Sequence, residues 1–354
     1  MRDLAVGIDI GGGSTTVGIV NRTNGKVVHS NCNDPELSLI TTDYATPKSY
    51  TDALCRVINA LIDKAGGINQ IEGIGIGAPN GSYLTGKITN PPNLPWKEFD
   101  IVKMVEERIA LQVYLDNDAN CAALGEWLYG GAKGKDVDGS CKDKRMQHFV
   151  MITLGTGLGS GIVSEGKLLR GKHGFAGELG HVIVRRNEGR KCGCGRYGCV
   201  ETYCSAKGLA RTAIEFLDVS KKDEDNPSKF REYYLERKAK GLGDKNKEDM
   251  LITSKDVCDF AKEGDPTAKE IFEYTGKILG DALADFVAFS DPEKIFIFGG
   301  LANAGEFILE PAIRYMNQSL LSIYKGNVEV EISQLNSNSL AAVLGASALL
   351  WEGK

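Results

Sequence analysis

No stretch of this 354-residue sequence reaches the roughly 18 consecutive apolar residues that a membrane-crossing helix needs. The start, Met1 to Asp9, has neither the apolar core nor the cleavage site of a secretory signal, so a cytoplasmic location without a membrane partner is expected. Positive charge is not in excess: 42 lysines and arginines stand against 47 aspartates and glutamates, a net −5. That balance argues against broad electrostatic attachment to nucleic acid or anionic membrane, and leaves room only for a local basic patch. A Walker ending, Gly-Lys-Ser/Thr, is absent, and no Gly-x-Gly-x-x-Gly opens a helix. Nine cysteines without a secretory signal read as free thiols or metal ligands rather than disulfides. A chain of this length can bury enough core to need no such staples.

Glycine is what the sequence has in quantity, 43 residues, and it clusters. Leu4 to Ile10 is an apolar run that stops at Gly11-Gly12-Gly13. Thr15 to Val20 and Lys26 to His29 follow as strand-like runs, which predicts an antiparallel meander. Residues 51–65 place Leu54, Val57, Ile58, Leu61 and Ile62 at helical spacing. Strands are expected at Ile71 to Gly77 and Val113 to Leu115, with a helix over Ile101 to Leu111, so the opening part reads as an α/β layer. Phe149 to Val163 repeats the strand–glycine–strand pattern about 145 residues later, which suggests a duplicated unit. Residues 133–147 read as a solvated surface loop and 218–250 as an exposed helical insertion. Lys255 to Ala288 reads as two helices, Ile295 to Phe298 as a strand ending at Gly299-Gly300, and Leu340 to Trp351 as a final apolar helix.

Five groups of residues carry chemistry. Asp9-Ile10-Gly11-Gly12-Gly13-Ser14-Thr15-Thr16 can bring bare backbone N–H groups against a phosphate, with Asp9 ordering Mg²⁺; a plain hairpin turn is the other reading. Gly155-Thr156-Gly157-Leu158-Gly159 offers a second cradle of the same kind. In Asn117-Asp118-Ala119-Asn120, at a strand end, Asp118 can take the proton of an attacking hydroxyl, or the group can simply cap a helix. His181 followed by Cys192, Cys194 and Cys199 forms a Cys₃His set suited to tetrahedral Zn²⁺; four protein ligands close the shell, so the metal is expected to be structural. Glu178 and Glu201 flank that loop and suit the hydroxyls of a sugar, unless they are surface charge. His181 could ligate with one ring nitrogen and donate to the sugar with the other.

In order and spacing, Asp-Ile-Gly-Gly, Asn-Asp-Ala-Asn, Leu-Gly-Thr-Gly-Leu-Gly-Ser-Gly, Gly-Glu-Leu-Gly-His and Cys-Gly-Cys-Gly-Arg-Tyr-Gly-Cys-Val-Glu resemble the ROK family of repressors, open reading frames and kinases. The resemblance covers nearly the whole chain. It implies the actin-like ATPase, or ribonuclease H-like, fold: two α/β domains around a central cleft. Their boundaries are drawn at 1–118, completed by the C-terminal helix 340–354, and at 119–339, carrying the metal loop. It implies a glucokinase-type enzyme that phosphorylates a hexose, glucose first, or an N-acetylhexosamine, at the 6-hydroxyl and with ATP. Asp118 is then the general base, and Asn93, Asn117, Asp118, Glu178, His181 and Glu201 bind the sugar. Asp9, Gly11, Gly12, Gly13, Ser14, Thr15, Gly155, Thr156, Gly157, Gly159, Gly299 and Gly300 serve the nucleotide and Mg²⁺. Structural Zn²⁺ sits on His181, Cys192, Cys194 and Cys199, and a homodimer or homotetramer is expected. Gly13 and Ser14 stand where the family often has Thr and Lys, which leaves a hydroxyl contact to Ser14, Thr15 or Thr16.

A sugar-responsive regulator is the alternative. Family repressors carry a helix-turn-helix segment ahead of the first glycine hairpin, and the position of Asp9 leaves no room for one, so no nucleic-acid partner is expected.

Overall fold

A computed structural model of the chain describes residues 2–32, 34–133, 145–187, 189–219, 228–242, 251–336 and 340–352. Its first elements are strands β1 (Leu4–Ile10), β2 (Thr15–Asn21) and β3 (Val27–Ser30), then helix α1 (Pro47–Lys64) and strand β4 (Ile71–Ala78). Short strands β5 (Ile88–Thr89) and β6 (Glu98–Phe99) pair with each other and lead to α2 (Ile101–Glu106), β7 (Val113–Asn117) and α3 (Asp118–Tyr129). Strands β8 (Phe149–Leu154), β9 (Leu158–Ser164) and β10 (Lys167–Leu168) follow. Helices α4 (Glu201–Cys204), α5 (Ala206–Val219), α6 (Lys229–Ala239), α7 (Ser254–Lys262) and α8 (Pro266–Ser290) precede β11 (Lys294–Phe298), α9 (Glu306–Ser319), β12 (Glu329–Ile332) and α10 (Ala341–Ala348).

The first five-stranded sheet has the order β3-β2-β1-β4-β7. Its β1–β2 and β2–β3 pairs are antiparallel, and its β1–β4 and β4–β7 pairs are parallel. The second sheet has the order β10-β9-β8-β11-β12. In both, the third, second, first, fourth and fifth strands in chain order lie side by side. The repeated strand order matches the duplication that the two glycine hairpins suggested.

Two compact units divide the chain: residues 1–151, 161–177 and 333–354 form one, and 152–160 with 178–332 the other. The first unit thus runs past the expected boundary at 118, because α3 packs on α10. A Cβ on Gly125 would lie 3.0 Å from the Gly345 Cα, an approach only glycine allows. On the other face of α10, a Cβ on Gly7 would overlap the Val343 carbonyl oxygen, and one on Gly75 the Ala346 carbonyl oxygen. The sheet and helix therefore touch backbone to backbone. The opposite sheet face meets α1, whose Leu54, Val57, Ile58, Leu61 and Ile62 are buried with Ile8, Ile10 and Ile76. Thr46 caps α1 by accepting the Ser49 N–H, and Pro47 opens it, both ordinary start signals.

Some expectations differ in extent. The helix expected over Ile101 to Leu111 ends at Glu106 and turns irregularly beyond it. The expected helical insertion contains α6, while 220–227 and 243–250 fall outside the described residues, as do 134–144 of the expected surface loop, Cys141 with them. Residues 337–339 and 353–354, inside the expected larger domain and C-terminal helix, are also outside. Among the described residues no helix is long and apolar enough to cross a membrane.

Candidate active site

In the first unit, β1 and β2 are joined by Gly11 to Ser14, and the turn is closed by the Gly11 N–H donating to the Ser14 carbonyl at 3.1 Å. Gly12 abuts the loop that carries Asn93. An added Cβ would come within 2.7 Å of the Asn93 Cβ and carbonyl oxygen, so Gly12 is needed for the contact. Gly13 has open space where a Cβ would go, and Ser14 is exposed. Asn93 itself is exposed, on a loop pinned by buried Trp96, whose Nε1–H donates to the Tyr44 carbonyl at 3.2 Å.

Thr15 is placed differently from the expectation that it serves the nucleotide. Its side chain is buried, with Oγ1 2.7 Å from the Tyr50 hydroxyl and 3.1 Å from Thr41 Oγ1. Thr41 in turn donates to the Gly11 carbonyl at 2.9 Å. The Thr15 N–H donates to Leu39 at 2.8 Å. Both its donors are engaged inside the protein, so Thr15 braces the hairpin from beneath and is corrected from a ligand residue to a support. Thr41 and Tyr50 complete that support and had no sequence signal, being ordinary residues 26 and 35 positions away.

Asp9 lies near the end of β1, opposite Gly77 of β4. Its carboxyl is pushed up to about 7, first by burial and then by the charge of Asp118. Asp118 opens α3 where β7 ends, and its Oδ1 accepts the Ala119 N–H at 2.8 Å. Its carboxyl is also raised, mainly by burial and against that hydrogen bond. The side chain keeps contact with solvent, so the protein crowded around it, rather than full enclosure, disfavours the charge. Asn117 caps α3, its Oδ1 accepting the same Ala119 N–H at 2.9 Å. The structure thus bears out the capping reading of this tetrapeptide, and it leaves the Asp118 side chain exposed beside the cap. Asn120 points inward and is buried.

In the second unit, the Gly155 N–H donates to the Gly157 carbonyl at 3.0 Å and closes the second hairpin. Thr156 is exposed, Gly159 lies half-buried at the second position of β9, and Gly155 has open space around it. Gly299, at φ +110° and with a would-be Cβ 2.6 Å from the Leu154 carbonyl oxygen, could not be another residue. Gly300 opens a short 3₁₀ turn with no neighbour over its Cα. Glu201 reaches the hairpin: its Oε2 accepts the Leu158 N–H at 3.1 Å, and a Cβ on Gly157 would overlap that oxygen. Its other oxygen lies 3.6 Å from Cys192 Sγ. Glu178 is exposed, with Oε2 3.9 Å from His181 Nε2.

The ligand atoms of His181, Cys192, Cys194 and Cys199 all lie within 4.8 Å of one another. His181 Nδ1 is 3.7 Å from Cys192 Sγ, and Cys194 Sγ is 3.7 Å from Cys199 Sγ. Zn–S bonds of about 2.3 Å and a Zn–N bond of about 2.0 Å at tetrahedral angles call for such separations. The donor set therefore fits one Zn²⁺ and leaves Nε2 of His181 facing Glu178. The loop is tied down independently of any metal. Arg190, which sequence reasoning missed, donates to the Thr202 carbonyl at 2.7 Å, the Gly208 carbonyl at 3.0 Å and Thr212 Oγ1 at 2.9 Å, and pairs with Glu215 at 2.6 Å. An arginine among several in a charged loop carries no signal that would single it out.

Known proteins resemble the chain along its length. The glucokinase of Halalkalibacterium halodurans is 32% identical over 98% of this chain and 94% of its own. A ROK family glucokinase from Streptomyces griseus, solved in complex with glucose and AMPPNP, is 30% identical, covers 99% of this chain and 100% of its own, and superposes with a TM-score of 0.74. The xylose repressor of Caldicellulosiruptor bescii is 29% identical over 88% of this chain and 72% of its own. The fold is that of the actin-like ATPases. The family model described as "ROK family" matches residues 5–352, and the chain belongs to that family.

Proposed function

We propose that this protein is an ATP-dependent kinase of a hexose, glucose first, or of an N-acetylhexosamine, and that it acts on the 6-hydroxyl. The observation that carries the reading is Asp118 at the carboxyl end of β7, in a chain similar along its whole length to glucokinases. Ligands of α/β sheets gather at that end of the strands. A general base works best when its pKa lies near the working pH, and crowding moves Asp118 in that direction.

In this reading the sugar oxygen attacks the γ-phosphorus in line, its proton passes to the Asp118 carboxylate, and ADP leaves. Asn93, Asn117, Glu178, His181 and Glu201 hold the remaining hydroxyls. Gly12, Gly13 and Ser14 present backbone N–H groups to phosphate oxygens, as do Thr156, Gly157 and Gly159; Gly11 and Gly155 spend their own N–H groups closing the two turns and give the phosphate room to approach, while Gly299 and Gly300 lie on the nucleotide side. Asp9, held near neutrality in the absence of a cation, is suited to the Mg²⁺ that accompanies ATP. Zn²⁺ on the Cys₃His set would supply a rigid brace for the loop carrying His181. A cytoplasmic homodimer or homotetramer belongs to the same reading.

Asp118→Asn tests it. The variant is expected to bind sugar within about threefold of the parent yet to lose ~10²–10⁴ of kcat. Unchanged turnover in a steady-state assay rejects Asp118 as the base.

A further inference from the structure

Behind Asn117 and Asp118 lies an ion-pair network that none of the roles above uses. Asp116, on β7, is only 1% exposed. Its Oδ1 accepts the Asn117 N–H at 2.7 Å and the Asn120 side-chain amide at 2.8 Å. Its Oδ2 accepts Arg170 Nε at 2.7 Å. The other two nitrogens of Arg170 grip Glu352, Nη1 to Oε1 at 2.9 Å and Nη2 to Oε2 at 2.5 Å. The guanidinium lies 3.9 Å from the centre of the Tyr83 ring. An ionised carboxylate this deep needs a counter-charge and full hydrogen bonding, and Arg170 with the two amides supplies both. A guanidinium can bond one carboxylate through Nε while gripping a second through both Nη groups in one plane, a fixed geometry that the single nitrogen of an ammonium does not reproduce.

We infer that Arg170 is a positioning residue for phosphoryl transfer: acting through Asp116, it fixes the turn that carries Asn117 and Asp118. Both donors on Oδ1 belong to that turn, one to the peptide N–H of Asn117 and one to the side chain of Asn120. If the Asp116 carboxylate rotates or takes a proton, they lose a shared acceptor. Asn117 then loses the restraint on the backbone (φ −62°, ψ 145°) that aims the next residue, Asp118. Glu352 and Tyr83 hold the guanidinium flat and keep it aimed at Asp116. The inference rests on the reading of Asp118 as the base.

The test compares Arg170→Met, Arg170→Lys, Asp116→Asn, the Asp116→Asn/Arg170→Met double variant and Asp118→Asn in the full chain. Each is assayed with MgATP and glucose, and each is checked for thermal unfolding. Arg170→Met is expected to lower kcat by ~10–100-fold while KM for ATP stays within about twofold, the mark of a disturbed Asn117–Asp118 turn with the nucleotide side intact. Arg170→Lys recovers part of the loss. The double variant loses less than the product of its two singles, because an amide at position 116 needs no counter-charge. Wild-type kcat in Arg170→Met, or in Arg170→Lys where the methionine variant fails to fold, overturns the inference. So does strict additivity in the cycle. If Asp118→Asn keeps its turnover, the base reading fails whatever Arg170 does; if it is inactive and Arg170→Met is not, only the positioning role falls.

Discussion

Replacing Asp9 with asparagine is expected to stabilise the ligand-free protein, and to do so more as pH rises. In the folded chain the Asp9 carboxyl moves from 3.8 to about 7, through burial first and the Asp118 charge second. Between those values the folded state keeps a proton that the unfolded state has released. Stability therefore falls as pH rises through this window. Below it both states hold the proton and Asp9 contributes nothing; above it the whole penalty is present. A shift of about 3 units at about 1.4 kcal/mol each sets a ceiling of ~4 kcal/mol. Asp9 is only partly shielded from solvent, which screens the effect, so about 1–3 kcal/mol is the working expectation. Asparagine keeps the shape and never titrates. The assay is urea unfolding of both proteins, without divalent cations, from about pH 5 to about pH 8. The gap between their midpoints should widen across that range. A gap that stays constant, or narrows, refutes the claim that Asp9 carries a burial penalty that a cation would relieve.

Three further outcomes follow from single contacts. Gly75→Ala forces a methyl onto the Ala346 carbonyl oxygen and should cost at least about 1–3 kcal/mol by urea unfolding, whereas Gly13→Ala, with open space above it, should stay within about 0.5 kcal/mol. Gly157→Ala displaces the Glu201 carboxylate from the Leu158 N–H and should raise KM for the sugar roughly tenfold in steady-state kinetics, with folding unchanged. Elemental analysis should find about one zinc per chain, lost together with thermal stability in Cys194→Ser; unaltered zinc content in that variant would remove Cys194 from the ligand set.

What the sequence made legible were features whose cause is local. A glycine run between two apolar stretches has few alternatives to a tight hairpin, and both hairpins lie where they were expected. Three thiols and an imidazole within 19 residues have little room to be far apart, and they converge. The same holds for the body of α1, whose apolar spacing is contained within the helix, although the helix starts at Pro47, four residues ahead of the expected 51. The misplacements came from contacts made at long range. Thr15 has the look of a phosphate ligand, but Thr41 and Tyr50 turn it inward. The first unit extends beyond 118 because Gly125 of α3 meets Gly345, more than half the chain away. Arg170 meets Asp116 and Glu352 only after the chain has folded, so nothing in its neighbours marked it. Partners distant in sequence leave no periodicity and no spacing to read.

Phosphoryl transfer from ATP to a free hexose is the measurement closest to the central claim. The purified chain is given MgATP and, in turn, glucose, N-acetylglucosamine, N-acetylmannosamine and fructose; ADP is followed by a coupled assay and the product by phosphorus NMR. Sugar-dependent ADP release with the phosphate on the 6-oxygen is the expected result, largest with glucose. Sugar binding without any transfer, across the whole panel and with zinc in place, would contradict it and leave a sugar-sensing protein instead.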